Sequence, residues 1–254
     1  MLRRIIKKDR STRHGDTMIE VLFAITAYSV VAIFTIITMN MGLQQGEAAL
    51  ELSQTRIEIA AQADGLRFIH NAFLSEREYG LTGSDSYKAL WQRITSLAVD
   101  SSTSIKELSV GQCKNWYSGD YLASRNAFIL NLRNLSPTGG DLAVLRATYG
   151  SSYFREASLY PRVVYTTNVS PWDGSSDSSD ADYYDESGRL WIGAAEGIWI
   201  IARKSAATSN MLADKPEYYD FHIYSCWYSP GADHPSTIGT IIRLYNPELQ
   251  EAIR

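Results

Sequence analysis

The sequence predicts an α+β protein: a long N-terminal helix, membrane-spanning in its first half, packed on a mostly antiparallel β-sheet domain. Three observations carry this expectation. No proline occurs between Asp16 and Ser136, so nothing in that stretch breaks a helix. An uncharged apolar run of 23 residues, Val21 to Leu43, passes directly into a segment with helical periodicity. After about Ser101 the chain changes to short runs rich in Ile, Val, Tyr and Trp, separated by Pro, Gly, Ser and Asp as strands are by turns.

Residues 1–15 form a basic leader. Arg3, Arg4, Lys7, Lys8, Arg10 and Arg13 stand against Asp9, a net of +5. The chain of 254 residues carries −4 in all, so residues 16–254 carry −4 − 5 = −9. A basic flank before an apolar span stays in the cytoplasm, which places everything after Leu43 across the membrane. An acidic body is a poor match for nucleic acid, whose binding rests on neutralising phosphates.

Residues 16–43 make the membrane-spanning half of the helix, since about 20 apolar residues cross a bilayer. A secretory signal peptide fits less well: its apolar core runs about 7–15 residues and is followed by a small-residue cleavage pattern. A generic signal anchor explains the length and the basic flank. It does not explain why Gly15 is followed at a fixed distance by one carboxylate, Glu20. An ionisable group at the mouth of a membrane helix is costly without a partner and by default marks a functional site. Gly42 and Gly46 lie where the span ends, each costing about 1 kcal/mol of helix stability relative to alanine. They read either as a weak spot at the membrane surface or as a place that unwinds or packs closely during assembly.

Residues 44–75 continue as an amphipathic helix. Leu52, Ile59, Ala63, Leu66, Ile69 and Phe73 follow one another at steps of 7, 4, 3, 3 and 4, one helical face. Glu51, Arg56, Glu58, Asp64 and Arg67 are assigned to the solvated remainder. A near-continuous helix from about Thr17 to about Ser75 would be roughly 90 Å long at about 1.5 Å per residue.

Residues 76–254 form the exposed globular domain. Ser84-Asp85-Ser86 caps a short helix over Tyr87–Val99 with Leu90, Ile94, Leu97 and Ala98 inward. Candidate strands follow at Ala127–Leu132, Leu142–Tyr149, Arg162–Thr167, Gly197–Ala202, Tyr219–Tyr228 and Thr240–Tyr245. In the fifth of these, Phe221, Ile223 and Trp227 alternate with His222, Tyr224 and Tyr228, so one side faces a core. Cys113 and Cys226 are the only cysteines, an even number in a compartment expected to be oxidising. Bridged, they close a loop worth about 4–5 kcal/mol in the chain-entropy model; the alternative is two separate buried thiols. Trp116-Tyr117 and Trp227-Tyr228 follow them and suit an aromatic shell around a bridge.

The junction His14-Gly15-Asp16-Thr17-Met18-Ile19-Glu20-Val21, with a basic leader before it and the apolar run behind it, resembles the N-terminus of type IV prepilins. The resemblance implies cleavage by a prepilin peptidase between Gly15 and Asp16. It also implies a mature chain whose fifth residue, Glu20, meets the freed amino group of a neighbouring subunit and sets axial register. The partners it implies are other pilin subunits through the N-terminal helix, the peptidase, an inner-membrane assembly platform, and membrane lipid before assembly. The implied locations are the cytoplasmic membrane and an extracellular filament, with a contribution to adhesion or motility. The large domain points to a minor pilin of a type IV pilus, and retention of Glu20 allows it to join a stack. A pseudopilin of a type II secretion system shares the same N-terminal logic, and an unprocessed membrane-anchored binding protein is the remaining reading. Two departures stand out. Asp16 occupies the position where the family usually has an N-methylated phenylalanine, and Ile37 lies in the region where many major pilins have a helix-melting proline.

The stretch Asp173-Gly174-Ser175-Ser176-Asp177-Ser178-Ser179-Asp180-Ala181-Asp182 is the one metal candidate. Carboxylates at such short intervals, Asp173, Asp177, Asp180 and Asp182, can bind calcium, but they lack the order of an EF-hand loop and a Ser/Asp-rich loop is usually just solvated; no other cofactor is expected. No catalytic constellation emerges. His14, His70, His222 and His234 are scattered, and there is no G-x-S-x-G, H-E-x-x-H, P-loop or C-x-x-C pattern, so the chain is not expected to be an enzyme.

Overall fold

The computed structural model describes residues 16–78, 86–103, 113, 120–135, 143–149, 153–166, 191–205, 217–229 and 232–248. Helix α1 runs unbroken over Asp16–Glu78. Residues up to Ala49 form one compact unit, and the rest of α1 belongs with the remaining chain to a second. The second unit is α+β. Its helices after α1 are α2 (Tyr87–Ser96) and α3 (Asp120–Ser124). Its strands are β1 (Phe128–Leu130), β2 (Val144–Arg146), β3 (Phe154–Arg155), β4 (Arg162–Thr166), β5 (Trp191–Glu196), β6 (Ile198–Lys204), β7 (Tyr218–Trp227) and β8 (Ser236–Tyr245).

A five-stranded antiparallel sheet, in the order β2-β1-β6-β7-β8, forms most of the domain. A second sheet, in the order β3-β5-β4, pairs β5 parallel with β3 and antiparallel with β4. The chain passes from one sheet to the other through a single residue, Gly197, at φ +66°. A Cβ there would lie 2.8 Å from both the Ala157 Cβ and the Cys226 carbonyl oxygen, so the corner requires glycine twice over. The Gly197 N–H donates to the Arg155 carbonyl and its own carbonyl accepts from Cys226 N–H, at 2.8 and 2.9 Å. The neighbouring Cys226 is bridged to Cys113, with Cα atoms 5.9 Å apart.

The predicted apolar stripe of α1 faces this domain: Ile59, Ala63, Leu66, Ile69 and Phe73 are buried, while Leu52 is partly covered. They pack with Leu90, Trp91 and Ile94 of α2 and with Phe128, Leu130, Ile200, Phe221 and Ile223 of the sheet. Glu51, assigned to solvent from the sequence, is instead buried, and so are Thr55 and Gln62 on the same side of the helix. The physical reason is that each reaches a partner. Glu51 Oε2 accepts from the Trp227 indole N–H at 3.0 Å and the Ser229 hydroxyl at 2.5 Å. Thr55 donates back to the Glu51 carbonyl at 2.8 Å. Gln62 bonds both backbone groups of Leu130, at 2.9 and 3.1 Å. The ladder bonds of Asn131 and Ala127 go to the β2 side, so the groups of Leu130 point the other way, and the Gln62 amide completes them as another strand would. Two further side chains of α1 act similarly: Glu58 accepts from Val163 N–H of β4 at 3.1 Å, and His70 Nε2 donates to the Tyr245 carbonyl at the end of β8 at 2.9 Å.

Helix α2 begins at the expected cap, where the Ser86 hydroxyl accepts from Ala89 N–H at 3.3 Å, but ends at Ser96 rather than Val99. Leu90, Ile94 and Leu97 are inward as expected, with Ala98 only partly covered; Trp91, not counted among them, is buried edge-on to His70, Tyr219 and Phe221. The six expected strands all occur with shifted ends. The first two shrink to three residues each, and the last lengthens to ten because β8 pairs with β7 along its whole length. Strands β3 and β5 were not anticipated. The first is two residues long, too short for a period-2 signal, and the second is an apolar–small sequence, Trp-Ile-Gly-Ala-Ala-Glu.

Candidate membrane-insertion and assembly site

The apolar half of α1 is the most exposed part of the described structure. Between Met18 and Leu43, sixteen large apolar side chains face outward, Phe23 and Tyr28 at 76% exposure. Burying a side chain of this kind is worth about 1.5–3 kcal/mol, so leaving the set in water costs tens of kcal/mol. Lipid or protein must cover it, and the helix is long and apolar enough to cross a membrane.

The polar groups of this stretch are arranged for such a surrounding. Thr26 donates to the Phe23 carbonyl, Ser29 to Ile25, Thr35 to Val31 and Thr38 to Phe34, at 2.8 to 2.9 Å. Each hydroxyl is satisfied by its own helix three or four residues back, which removes the cost of carrying it into hydrocarbon. Glu20 carries the one charge between Met18 and Leu43. Its side chain is exposed and meets no donor or cation among the described residues. A charge held at the edge of an apolar rod requires either water or a cation from another molecule.

Asp16 is the first residue of α1, whereas Gly15 lies outside the described residues. Gly42 and Gly46 sit within the unbroken helix, and a Cβ on either would meet nothing within 4 Å. In this conformation neither glycine is needed for a bend or a close approach. Asp173, Asp177, Asp180 and Asp182, the calcium candidates, lie outside the described residues, as do Trp116 and Tyr117. Among the described residues no group of three or more His, Cys, Asp or Glu is placed to hold a metal ion.

The histidines of the domain are dispersed. His70 donates to a backbone carbonyl, and half-buried His222 stacks on Tyr224 with Nδ1 3.2 Å from the phenol oxygen. Burial pushes the His222 imidazole below its ordinary value. Sequence reasoning missed the polar side chains through which α1 is docked, Glu51, Glu58 and Gln62. The available signal was that Glu51, Thr55, Glu58 and Gln62 run at steps of 4, 3 and 4 alongside the apolar stripe. No protein-family model matches the chain, and neither a curated protein nor a solved structure matches it significantly.

Proposed function

We propose that this chain is a structural subunit of a type IV pilus, most consistent with a minor pilin. In this reading it is inserted through α1, cut after Gly15 and carried into a filament by the apolar half of the helix. The observation that carries the reading is Glu20: one exposed carboxylate at the head of the uncharged run Val21–Leu43, whose serine and threonine hydroxyls are all satisfied within the helix. An apolar rod alone would pack at any axial offset, but one carrying an unmatched charge is disfavoured at every offset except the one where that charge finds a cation. In a stack of such rods the nearest cation is a neighbour's freed α-amino group. The charge thereby selects one axial offset, and misregister costs several kcal/mol in a dry core.

Sequencing the N-terminus of the membrane-inserted protein tests the processing step, with Asp16 as the expected first residue. Glu20→Ala is expected to be inserted, cut and folded, yet to be depleted from sheared filaments relative to the membrane pool. Entry of Glu20→Ala into filaments at the wild-type level would remove the register role. A chain that still begins at Met1 would point to an unprocessed membrane anchor instead.

A further inference from the structure

On the three-stranded sheet, Arg155 of β3 and Arg162 of β4 are the two register partners of Glu196 on β5, so the three stand in one row. Glu196 is 3% exposed. Its Oε1 accepts from Arg155 Nε and Nη2 at 2.9 and 2.6 Å, and its Oε2 accepts from Arg162 Nε at 2.8 Å. Burial alone would raise this carboxyl, but the hydrogen bonds from Arg162 and Arg155 outweigh it and hold it below the usual carboxylate range. One guanidinium suffices to balance one carboxylate. The second leaves the row with a net charge of about +1, and both arginine side chains reach the surface, 57% and 37% exposed.

The two forks are only partly used. Arg155 commits Nε and one amino group to Glu196, and Arg162 commits Nε, with its guanidinium carbon 5.8 Å from the centre of the Tyr160 ring. Their remaining N–H groups meet no acceptor among the described residues. A guanidinium whose rotamer is already fixed by a buried partner loses less entropy on meeting a second anion, and its planar donor edge matches the paired oxygens of an oxyanion.

We propose that the outer edges of Arg155 and Arg162 form a receptor for an oxyanion, a carboxylate or sulfate group, with Glu196 as the positioning residue beneath. The site lies in the globular unit and does not depend on whether the chain enters a filament. The −9 carried by residues 16–254 opposes an incoming anion at long range. At physiological salt such charges are screened beyond about 8 Å, so recognition is local and weakens as chloride rises.

The test uses full-length protein in neutral maltoside micelles, with sodium sulfate and polygalacturonate as probes against sodium chloride at equal ionic strength. Wild type is expected to show a saturable rise in unfolding midpoint with sulfate. Arg155→Gln leaves Arg162 and Glu196 as a one-to-one pair, so it is expected to fold and to bind sulfate at least tenfold more weakly. Arg162→Gln is expected to behave alike. If a Gln variant fails to fold, Arg155→Lys, which keeps the charge and loses the fork, is expected to weaken binding several-fold. Protection by both probes identifies the anion as polymer-borne, and protection by sulfate alone identifies a free small anion. Equal midpoints in sulfate and chloride, or sulfate protection undiminished in the variants, would overturn the proposal.

Discussion

Replacing Glu51 by alanine tests how much one buried carboxylate contributes to holding α1 on its domain. Glu51 is 9% exposed and Trp227, whose indole N–H it accepts, 2%. In Glu51→Ala the indole donor is sealed from water with no acceptor, a loss of about 1–3 kcal/mol for an unsatisfied buried group. Ser229, only partly buried, can turn to water, so its lost bond counts for little. Against this, the variant no longer buries a carboxylate, which offsets part of the loss. The net expectation is a destabilisation of about 2 kcal/mol. For a unit the size of Leu50–Arg254, each kcal/mol moves the thermal midpoint by about 2–4 °C, so the midpoint should fall by about 4–8 °C. Glu51→Gln keeps an amide oxygen for the indole and should lose less than half as much. Thermal unfolding of the detergent-solubilised protein, followed by tryptophan fluorescence, reads both. A midpoint for Glu51→Ala within about 1 °C of wild type, or a glutamine variant as damaged as the alanine one, would show that the Trp227 bond is not what stabilises this junction.

Other perturbations probe the same frame. Gly197→Ala meets a positive φ as well as two contacts at 2.8 Å, so denaturant unfolding should show a loss of about 2–4 kcal/mol, and a neutral result would refute the corner geometry. Reducing the Cys113–Cys226 bond frees a loop spanning 113 positions and should cost about 4–5 kcal/mol, read as a drop in denaturant midpoint with reductant; oxidised, unfolded protein should show neither cysteine reacting with a thiol label. Glu196 is held below the ordinary carboxylate range, so its stabilising contribution is complete above that range and is lost as pH falls through its lower folded value. Stability measured from pH 5 downward should therefore decline less steeply in Glu196→Gln than in wild type, and parallel acid limbs would contradict the Arg155–Glu196–Arg162 pairing.

Much of the architecture is legible in the sequence because its signals are periodic and long. The unbroken α1 follows from the missing proline and the 3.6-residue spacing of Ile59, Ala63, Leu66, Ile69 and Phe73, and β7 follows from its alternation. What the sequence hides is non-local. Glu51 looks like a solvated glutamate until β7 brings Trp227 to it from 176 positions away, and Gln62 looks like a surface amide until Leu130 presents both backbone groups. The Arg155–Glu196–Arg162 row is likewise invisible, because it needs the register of two strands that carry no strand signature of their own, β3 and β5. At the apolar end of α1, the spacing from Gly15 to Glu20 is readable in the sequence. The back-bonded hydroxyls of Thr26, Ser29, Thr35 and Thr38 become apparent only once the helix is built.

The polar side chains along α1 have a mechanical consequence. Glu51, Glu58, Gln62 and His70 grip Trp227, Val163, Leu130 and Tyr245, which lie on β7, β4, β1 and β8. These anchor points are spread over 20 residues of helix, about 28 Å at the usual rise. Tension along the helix axis therefore loads the four attachments together, in shear, rather than peeling them one at a time. Slippage by a single turn, about 5.4 Å, would break all four at once before any new partner came into reach. A domain tethered in this way should stay attached under steady pull until it fails abruptly, like a pinned shaft rather than a zip.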